Sequence, residues 1–215
     1  MSTEQKVLTH FHADAQRFDA IYEDDKTPVT RFIDHVWRGV VRERLTLATA
    51  RLGDLTGKRV LDVGCGSGRF CIEYAAHGAA HVLGVDFAPA MIDRAREIAT
   101  AAGVAERCEF RVGAFPADVP EQGFDASTAM GFFDYIEHPV AMVAAMRERT
   151  RGMMLMSFPK AIEWRVPVRR IRFALIGCPL FLYTESHTRR ILAEAGVTDY
   201  EWIALDRDYV VVAKV

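Results

Sequence analysis

Cysteine is scarce in this sequence: there are four among 215 residues, and none stands in a CxxC pair or beside histidines at zinc-ligand spacing. We therefore expect reduced core thiols, with no disulfide framework and no bound metal. The sequence also lacks an apolar run near the roughly 20 residues that a membrane-spanning helix needs, and its first ten residues contain no signal-peptide core. This predicts a cytoplasmic protein without stable membrane insertion.

An excess of charge of either sign is absent too, because 27 basic residues nearly balance 29 acidic ones and the formal net charge is -2. A chain so balanced has no global field that would gather nucleic acid, so a nucleic-acid partner is not expected. Half of the residues are hydrophobic, and 215 residues suit one domain. We predict a single domain over residues 1–215, present as a monomer or a homodimer.

Hydrophobic periodicity predicts helices that alternate with strands after a long first helix. Apolar residues three and four positions apart indicate that this first helix covers residues 29–52. Short apolar runs predict strands at 59–63, 81–86, 108–113, 124–130 and 152–158. The helices between them are predicted at 67–77, 89–102 and 139–147. Such alternation indicates a doubly wound α/β fold with a mostly parallel sheet.

The last part of the sequence departs from this alternation. A helix is predicted over 185–195, and two strands over 199–205 and 209–215 are separated by only three residues. That connection is too short for a crossover between parallel strands, so we expect these two strands to form an antiparallel hairpin.

The segment VLDVGCGSG, residues 60–68, joins the first predicted strand to a helix. Glycines at such a turn permit positive φ and let a ligand approach the backbone. A glycine-rich turn alone also suits a dinucleotide or a plain tight turn, but the spacing DxGxGxG resembles motif I of the class I S-adenosylmethionine (SAM)-dependent methyltransferases. In that family the loop wraps the methionine part of SAM. The resemblance implies cofactor contacts at Asp62, Gly64, Cys65, Gly66 and Gly68.

The second predicted strand ends in Asp86, where an acid of a doubly wound sheet can accept hydrogen bonds from both ribose hydroxyls. Asp86 matches the ribose-binding acid of the family. The residues after it resemble the family's adenine-contacting segment, which implies that Phe87 and Met91 contact the cofactor. The alternative is structural: Asp62 then caps a helix and Asp86 simply ends a strand.

The chain departs from the family pattern after the third predicted strand. Many relatives carry an aspartate there that bonds the adenine amino group, whereas this chain has Ala114 followed by Phe115. We expect the adenine to be held instead by the backbone amides of Gly113 and Ala114 and by packing on Phe115.

Candidate catalytic residues follow the fourth predicted strand, where methyl transfer would require an aligned acceptor and a group that removes its proton. Because imidazole titrates near neutral pH, His138 is a candidate general base, which Asp134 or Glu137 would orient. Met130 is assigned to the cofactor, and Phe133 and Tyr135 are assigned to an apolar acceptor. The alternatives are a solvent-facing histidine and aromatic residues of the plain core.

Residues 17–22, RFDAIY, resemble the aromatic and acidic segment that folds over SAM as a lid in many small-molecule members of the family. Residues 1–52 are therefore predicted to form an N-terminal helical lid, with Tyr22 in contact with the cofactor or the acceptor. A surface helix with one aromatic anchor is the alternative.

Residues 160–183 interrupt the alternation and combine basic with apolar side chains, which suits an apolar acceptor that carries carboxylate or phosphate groups. We predict that this insertion covers the acceptor site. Its substrate-binding candidates are Trp164, Arg169, Arg170 and Tyr183. Arginine clusters also occur on solvated helix faces, and basic amphipathic segments also lie on anionic membrane surfaces, so a surface contact through 164–182 is an alternative use.

The resemblance to class I methyltransferases covers nearly the whole chain and implies a seven-stranded sheet of order 3-2-1-4-5-7-6. A looser similarity to magnesium-protoporphyrin O-methyltransferases rests on residues 21–22, 157–159 and 183–187. We expect methyl transfer from SAM to a small, apolar or aromatic acceptor with acidic groups. The alternatives are a SAM-binding regulatory or scaffold protein without transferase activity and an NAD-dependent oxidoreductase, which the DxGxGxG spacing and the final hairpin oppose.

Overall fold

The computed structural model describes residues 28–120, 123–163, 166–175 and 177–215. Six α-helices and seven β-strands make up these described ranges, together with two 3-10 turns at Ala105–Arg107 and Phe133–Tyr135. The helices are α1 (Pro28–Leu52), α2 (Arg69–Ala76), α3 (Pro89–Ala101), α4 (Pro139–Arg149), α5 (Val166–Leu175) and α6 (Glu185–Glu194). The strands are β1 (Arg59–Val63), β2 (His81–Asp86), β3 (Cys108–Val112), β4 (Phe124–Ala129), β5 (Thr150–Pro159), β6 (Tyr200–Ala204) and β7 (Asp208–Lys214).

All seven strands form one sheet in the order β3-β2-β1-β4-β5-β7-β6. The first five strands are parallel, whereas β7 runs antiparallel to both β5 and β6. This arrangement confirms the predicted fold class and strand order. Because parallel strands end at the same edge, the loops after β1, β2 and β4 meet there, which is where such sheets bind ligands.

The core lies in two layers, one on each face of the sheet, because successive side chains of a strand point to opposite faces. Val60 belongs to the layer under α2 and α3, and Leu61 belongs to the layer under α4 and α6. In the described residues, none of the helices has both the length and the apolar character needed to cross a membrane.

Most predicted bounds differ from the observed ones by one or two residues. Two differences have a physical reason. Strand β5 begins at Thr150, two residues before its predicted start, because α4 ends at Arg149 and the chain enters the strand directly. Arg151 and Gly152 are exposed, so the apolar pattern reveals only the later part of the strand. The insertion at 160–183 contains helix α5, which the periodicity did not predict.

Helix α1 is fixed to the last hairpin by two bidentate ion pairs. Arg44 donates to both carboxylate oxygens of Asp208, at 2.9 and 2.8 Å, and this pair is nearly buried. Arg51 donates to both oxygens of Glu201, at 2.8 Å each, in a more exposed setting. The geometry is the planar fork that favours arginine over lysine.

Candidate active site

The glycine loop after β1 is shaped by three positive backbone angles, with φ of 68° at Gly64, 52° at Gly66 and 75° at Gly68. A Cβ on Gly64 would lie 2.6 Å from the Phe132 ring, and one on Gly68 would lie 2.7 Å from the Phe110 ring. A Cβ on Gly66 would meet nothing within 4 Å. The first and third glycines therefore pack against the protein, while Gly66 borders the open side of the loop, where a ligand can approach the backbone.

Asp86 joins this loop to the end of β2. Its Oδ2 accepts a hydrogen bond from the Gly66 amide at 3.0 Å, and its Oδ1 accepts one from the Ala88 amide at 2.9 Å. Burial raises the pKa of the Asp86 carboxyl, and these two amide bonds lower it in part. A carboxylate offers about four lone-pair positions, so acceptor capacity is left for a ribose diol.

The motif implies that Asp62 contacts the cofactor, but its side chain is buried beneath the glycine loop. It is only 2 % exposed; Oδ1 accepts from the Thr128 hydroxyl at 2.6 Å, and Oδ2 accepts from the Cys71 thiol at 3.4 Å. Burial raises the pKa of Asp62 to about 6, although both hydrogen bonds act to lower it. Asp62 thus ties β1 to β4 and α2 and supports the loop from below, while Gly68 occupies the N-cap of α2.

Two other cofactor candidates also face the core. The Sγ atoms of Cys65 and Cys71 lie 2.9 and 2.8 Å from the position that a Cβ on Gly84 would take, so the Cys65 side chain points away from the loop opening. Met91 is 2 % exposed and packs with Ala88. We correct both assignments: Cys65 contributes its backbone to the loop, and the Met91 side chain supports the segment after Asp86.

The segment after β3 does not present free backbone amides for an adenine. The Gly113 amide donates to the carbonyl of Asp86 at 3.0 Å, and the Ala114 amide donates to Oδ2 of Asp118 at 2.8 Å. Phe115 packs against the α4 layer, with the guanidinium of Arg149 at 5.5 Å from its ring centre. The predicted amide recognition of adenine is therefore wrong, since both amides are already used within the protein.

Phe87, the residue after Asp86, is half-buried. It packs against a small apolar cluster that also contains Tyr135, Phe173, Cys178 and Leu180. Three of these residues come from the insertion, so the insertion reaches the cofactor side of the sheet edge. That residues 160–183 cover the acceptor site stays a prediction.

The residues after β4 divide into core and surface positions. Phe133 is fully buried and stacks on Phe158 with ring centres 4.4 Å apart, so we correct its assignment as an acceptor contact. Met130 is 8 % exposed at the end of β4. His138 is exposed directly before α4, and its side chain makes no capping hydrogen bond.

Asp134 does not orient His138. Its Oδ1 accepts a hydrogen bond from Nη2 of Arg169 at 2.7 Å, and both side chains are buried. Burial raises the pKa of the Asp134 carboxyl, although Arg44 and Arg169 act to lower it. The pair instead attaches α5 to the turn after β4.

The two tyrosines assigned to the acceptor are placed differently. Tyr183 is 2 % exposed, and its hydroxyl lies within hydrogen-bond distance of two carbonyls, at 3.2 Å from Phe133 and 3.1 Å from Ile136. It therefore holds the turn after β4, and its assignment as an acceptor contact is wrong. Tyr135 lies in the small cluster at Phe87, 6.2 Å from the Phe173 ring centre.

Arg169 and Arg170 do not share a site, because consecutive residues of a helix point in different directions and only Arg169 faces the protein. Arg169 is 9 % exposed and paired with Asp134, whereas Arg170 is exposed. Two further candidates, Tyr22 and Trp164, lie outside the described residues.

Sequence reasoning missed a buried group of charges beside the end of β4. Within the described part of the chain it contains three guanidinium groups and two carboxylates, those of Arg44, Arg169, Arg207, Asp134 and Asp208. Burial lowers the pKa of Arg207, and Arg169 and Arg44 lower it further. Nη1 of Arg44 lies 2.7 Å from the position of a Cβ on Gly131, next to the Phe132 ring that covers Gly64. These five residues come together only in the folded chain, so no local sequence motif predicts the group.

Comparison with known proteins covers the same part of the chain. A family model described as a methyltransferase domain matches residues 60–152, which include the glycine loop, Asp86 and the end of β4. Over these residues the chain is similar to methyltransferases. Among curated relatives of this chain, the ubiquinone biosynthesis O-methyltransferase of Neisseria meningitidis is 38 % identical over 109 residues, which are 48 % of this chain and 45 % of that protein. The ribosomal protein L11 methyltransferase of Escherichia coli is 44 % identical over 69 residues, covering 32 % and 22 %. The chain thus matches less than half the length of these relatives.

Solved structures show that the methyltransferase fold extends over the whole chain. The magnesium protoporphyrin IX methyltransferase of Synechocystis PCC 6803 with bound SAH has a TM-score of 0.78 at 20 % identity and covers 99 % of both chains. The geranyl diphosphate C-methyltransferase of Streptomyces coelicolor A3(2) has a TM-score of 0.74 at 11 % identity and covers 100 % of this chain and 98 % of its own. At such identities the likeness concerns the fold.

Proposed function

We propose that this protein transfers a methyl group from SAM to a small, apolar or aromatic acceptor that carries an acidic group. The observation that carries the proposal is the junction of Asp86 with Gly66, which joins the ribose acid to the open side of the glycine loop through one 3.0 Å hydrogen bond. An electrophilic methyl group on a sulfonium is the chemistry that SAM supplies when bound. The protein's own task is then to hold cofactor and acceptor in line.

The residues around the loop fit SAM. In the proposed site the backbone from Gly64 to Gly68 holds the methionine end, Asp86 accepts from the ribose hydroxyls, and Phe87 packs on the adenine. Arg44 is the cation beside Gly131 and Phe132, next to the methionine end, where it suits the amino-acid carboxylate of SAM.

The acceptor site would lie between the end of β4 and the insertion. Tyr135, Phe173 and Leu180 provide apolar surface next to Phe87. Three guanidinium groups lie beside them, those of Arg44, Arg169 and Arg207, and this concentration of cations favours an acidic group on the acceptor. In this proposal Arg169 positions α5 through Asp134.

His138 stays the proposed general base because it is exposed at the carboxyl end of β4 and within the loop that precedes α4. Replacement by alanine is expected to lower kcat by about 10²–10⁴ while SAM affinity and folding remain unchanged. His77→Ala is the matched control, since His77 is an exposed histidine at the end of α2. Normal turnover of His138→Ala would remove the proposed base.

Two assays test the proposed function against its alternatives. Calorimetry with SAM and with NAD should give binding for SAM alone; NAD binding would favour an oxidoreductase, which the antiparallel β7 already opposes. A methyl-transfer assay over carboxylated aromatic acceptors should yield products that gain one methyl group by mass spectrometry. Tight SAM binding with no methylated product from any acceptor would favour a regulatory or scaffold protein.

A further inference from the structure

Helix α5 exposes two of its large apolar side chains, Ile171 and Leu175. Its exposed positions follow a helical stripe at Pro167, Arg170, Ile171, Ala174 and Leu175. Ile171 is 62 % exposed and Leu175 is 82 % exposed. The spacings of three and four place these residues on one face of the helix.

The opposite face of α5 buries an arginine. Val166, Arg169 and Phe173 are 7 %, 9 % and 5 % exposed, and Arg169 is paired with Asp134. A surface helix that only covered a core would bury its isoleucine and leucine and expose its arginines, because a buried ion pair loses its hydration. The inverted arrangement indicates that the exposed face of α5 has a binding role.

Ile162, four residues before the start of α5, is also 81 % exposed. Five large hydrophobic side chains are exposed in the described ranges, and three of them belong to this insertion. We call Arg170, Ile171 and Leu175 the outer face of the insertion. Such a concentration of exposed apolar groups marks an interaction surface.

The charge of the insertion selects the partner. The insertion, residues 160–183, contains five basic residues and one acidic residue, Glu163, and Arg170 stands within the outer face. In a symmetric contact between two copies, the same face would meet itself and bring like charges together. An anionic lipid surface has the opposite charge and accepts the apolar groups of an interfacial helix.

We propose that the outer face of the insertion docks this protein on an anionic lipid surface, with Ile171 and Leu175 among the acyl chains and Arg170 at the lipid phosphates. The inner face of the same helix carries Phe173, which packs at Phe87. If the proposed function holds, docking therefore brings the acceptor site to the lipid, where an apolar acceptor is dissolved. The docking itself does not depend on catalysis.

Vesicle co-sedimentation tests the proposal on the full chain. The protein should bind vesicles of phosphatidylcholine mixed with phosphatidylglycerol, bind far less to phosphatidylcholine alone, and be released by salt. Arg170→Gln should weaken binding about fivefold, since one basic residue near the surface contributes on that order. The double variant Ile171→Ser with Leu175→Ser should weaken it by roughly tenfold or more.

The matched control is Val112→Ser with Val215→Ser, because these valines are 43 % and 44 % exposed outside the insertion. The control variant should bind anionic vesicles as strongly as the unmodified protein does. Absence of binding to anionic vesicles, or equal binding by the Ile171/Leu175 variant, would overturn the proposal. A dimer seen by light scattering that this variant abolishes would assign the face to a second copy instead. SAM calorimetry on every variant separates the two proposals, because a failure of SAM binding bears on the function alone.

Discussion

At the scale of single residues, Asp86 serves both the fold and the proposed ligand. We expect Asp86→Asn to weaken SAM binding by about 1.5–3 kcal/mol, because a charged hydrogen-bond acceptor is lost. Calorimetry measures this directly. Asp93→Asn is the control, since Asp93 is an exposed acid of α3 that pairs with Arg96. An unchanged SAM affinity in Asp86→Asn would contradict the assigned role.

Asp62 should make stability depend on pH. Its pKa rises from 3.8 to about 6 on burial, so the folded state prefers the protonated form. The stabilisation that Asp62 gives the folded state is complete below the pKa of Asp62 in the unfolded chain. It is lost as the pH rises through the pKa of Asp62 in the folded protein. The free energy of unfolding of the unmodified protein, minus that of Asp62→Asn, should fall by about 2 kcal/mol from roughly pH 4 to pH 7.

Urea unfolding at a series of pH values measures that difference. Asp125→Asn is a suitable control, because Asp125 accepts from the Arg59 amide at an exposed position. A difference that stays flat across the range would show that Asp62 keeps its ordinary titration in the fold.

At the scale of elements, the Asp134–Arg169 pair decides how α5 is attached. Arg169→Met should destabilise the protein by about 3–5 kcal/mol, because it leaves the Asp134 carboxyl buried without its partner. Adding Asp134→Leu should restore most of that loss, since no buried charge then lacks a partner. Urea unfolding of the two single variants, Arg169→Met and Asp134→Leu, and of the double variant completes a double-mutant cycle. If the free energy of unfolding of Arg169→Met lies within about 0.5 kcal/mol of that of the unmodified protein, the pair lies in solvent instead.

The same pair explains which elements were predictable from the sequence. Strands β1 and β2 are mostly apolar and lead directly into the motif residues, so their bounds were predicted correctly. Helix α5 was missed because its inner face carries Arg169 where the helical pattern requires an apolar residue. Its partner, Asp134, is 35 positions away, and no local pattern links the two.

At the scale of the whole molecule, a bound ligand should stabilise the entire fold. SAM at about 100 times its Kd should add about 2.7 kcal/mol, which corresponds to a rise in Tm of roughly 5–11 °C for a chain of this size. NAD at the same concentration should leave Tm unchanged. Thermal unfolding followed by circular dichroism tests both, and Asp86→Asn should lose most of the SAM shift. A larger shift with NAD than with SAM would contradict the cofactor assignment.

The sequence predicted only those parts of the candidate site whose residues are close together in the chain. The glycine loop and Asp86 belong to short motifs at the ends of consecutive strands, so the sequence places them together. The environment of Phe133 and Tyr183 was not predictable, because both belong to a core formed by distant strands. Arg44 escaped notice for the same reason, since the Asp208 that holds it lies 164 residues further along the chain.

That long separation has a consequence for synthesis on the ribosome. Helix α1 is made early, yet Glu201 and Asp208, which bind its arginines, emerge among the last residues described. Strand β7 must also enter the sheet between β5 and β6. The nascent chain therefore leaves Arg44 and Arg51 of α1 without their carboxylate partners, and the edge of β5 unpaired, until residues 200–214 have been made, and this interval is when chaperones would have most surface to recognise.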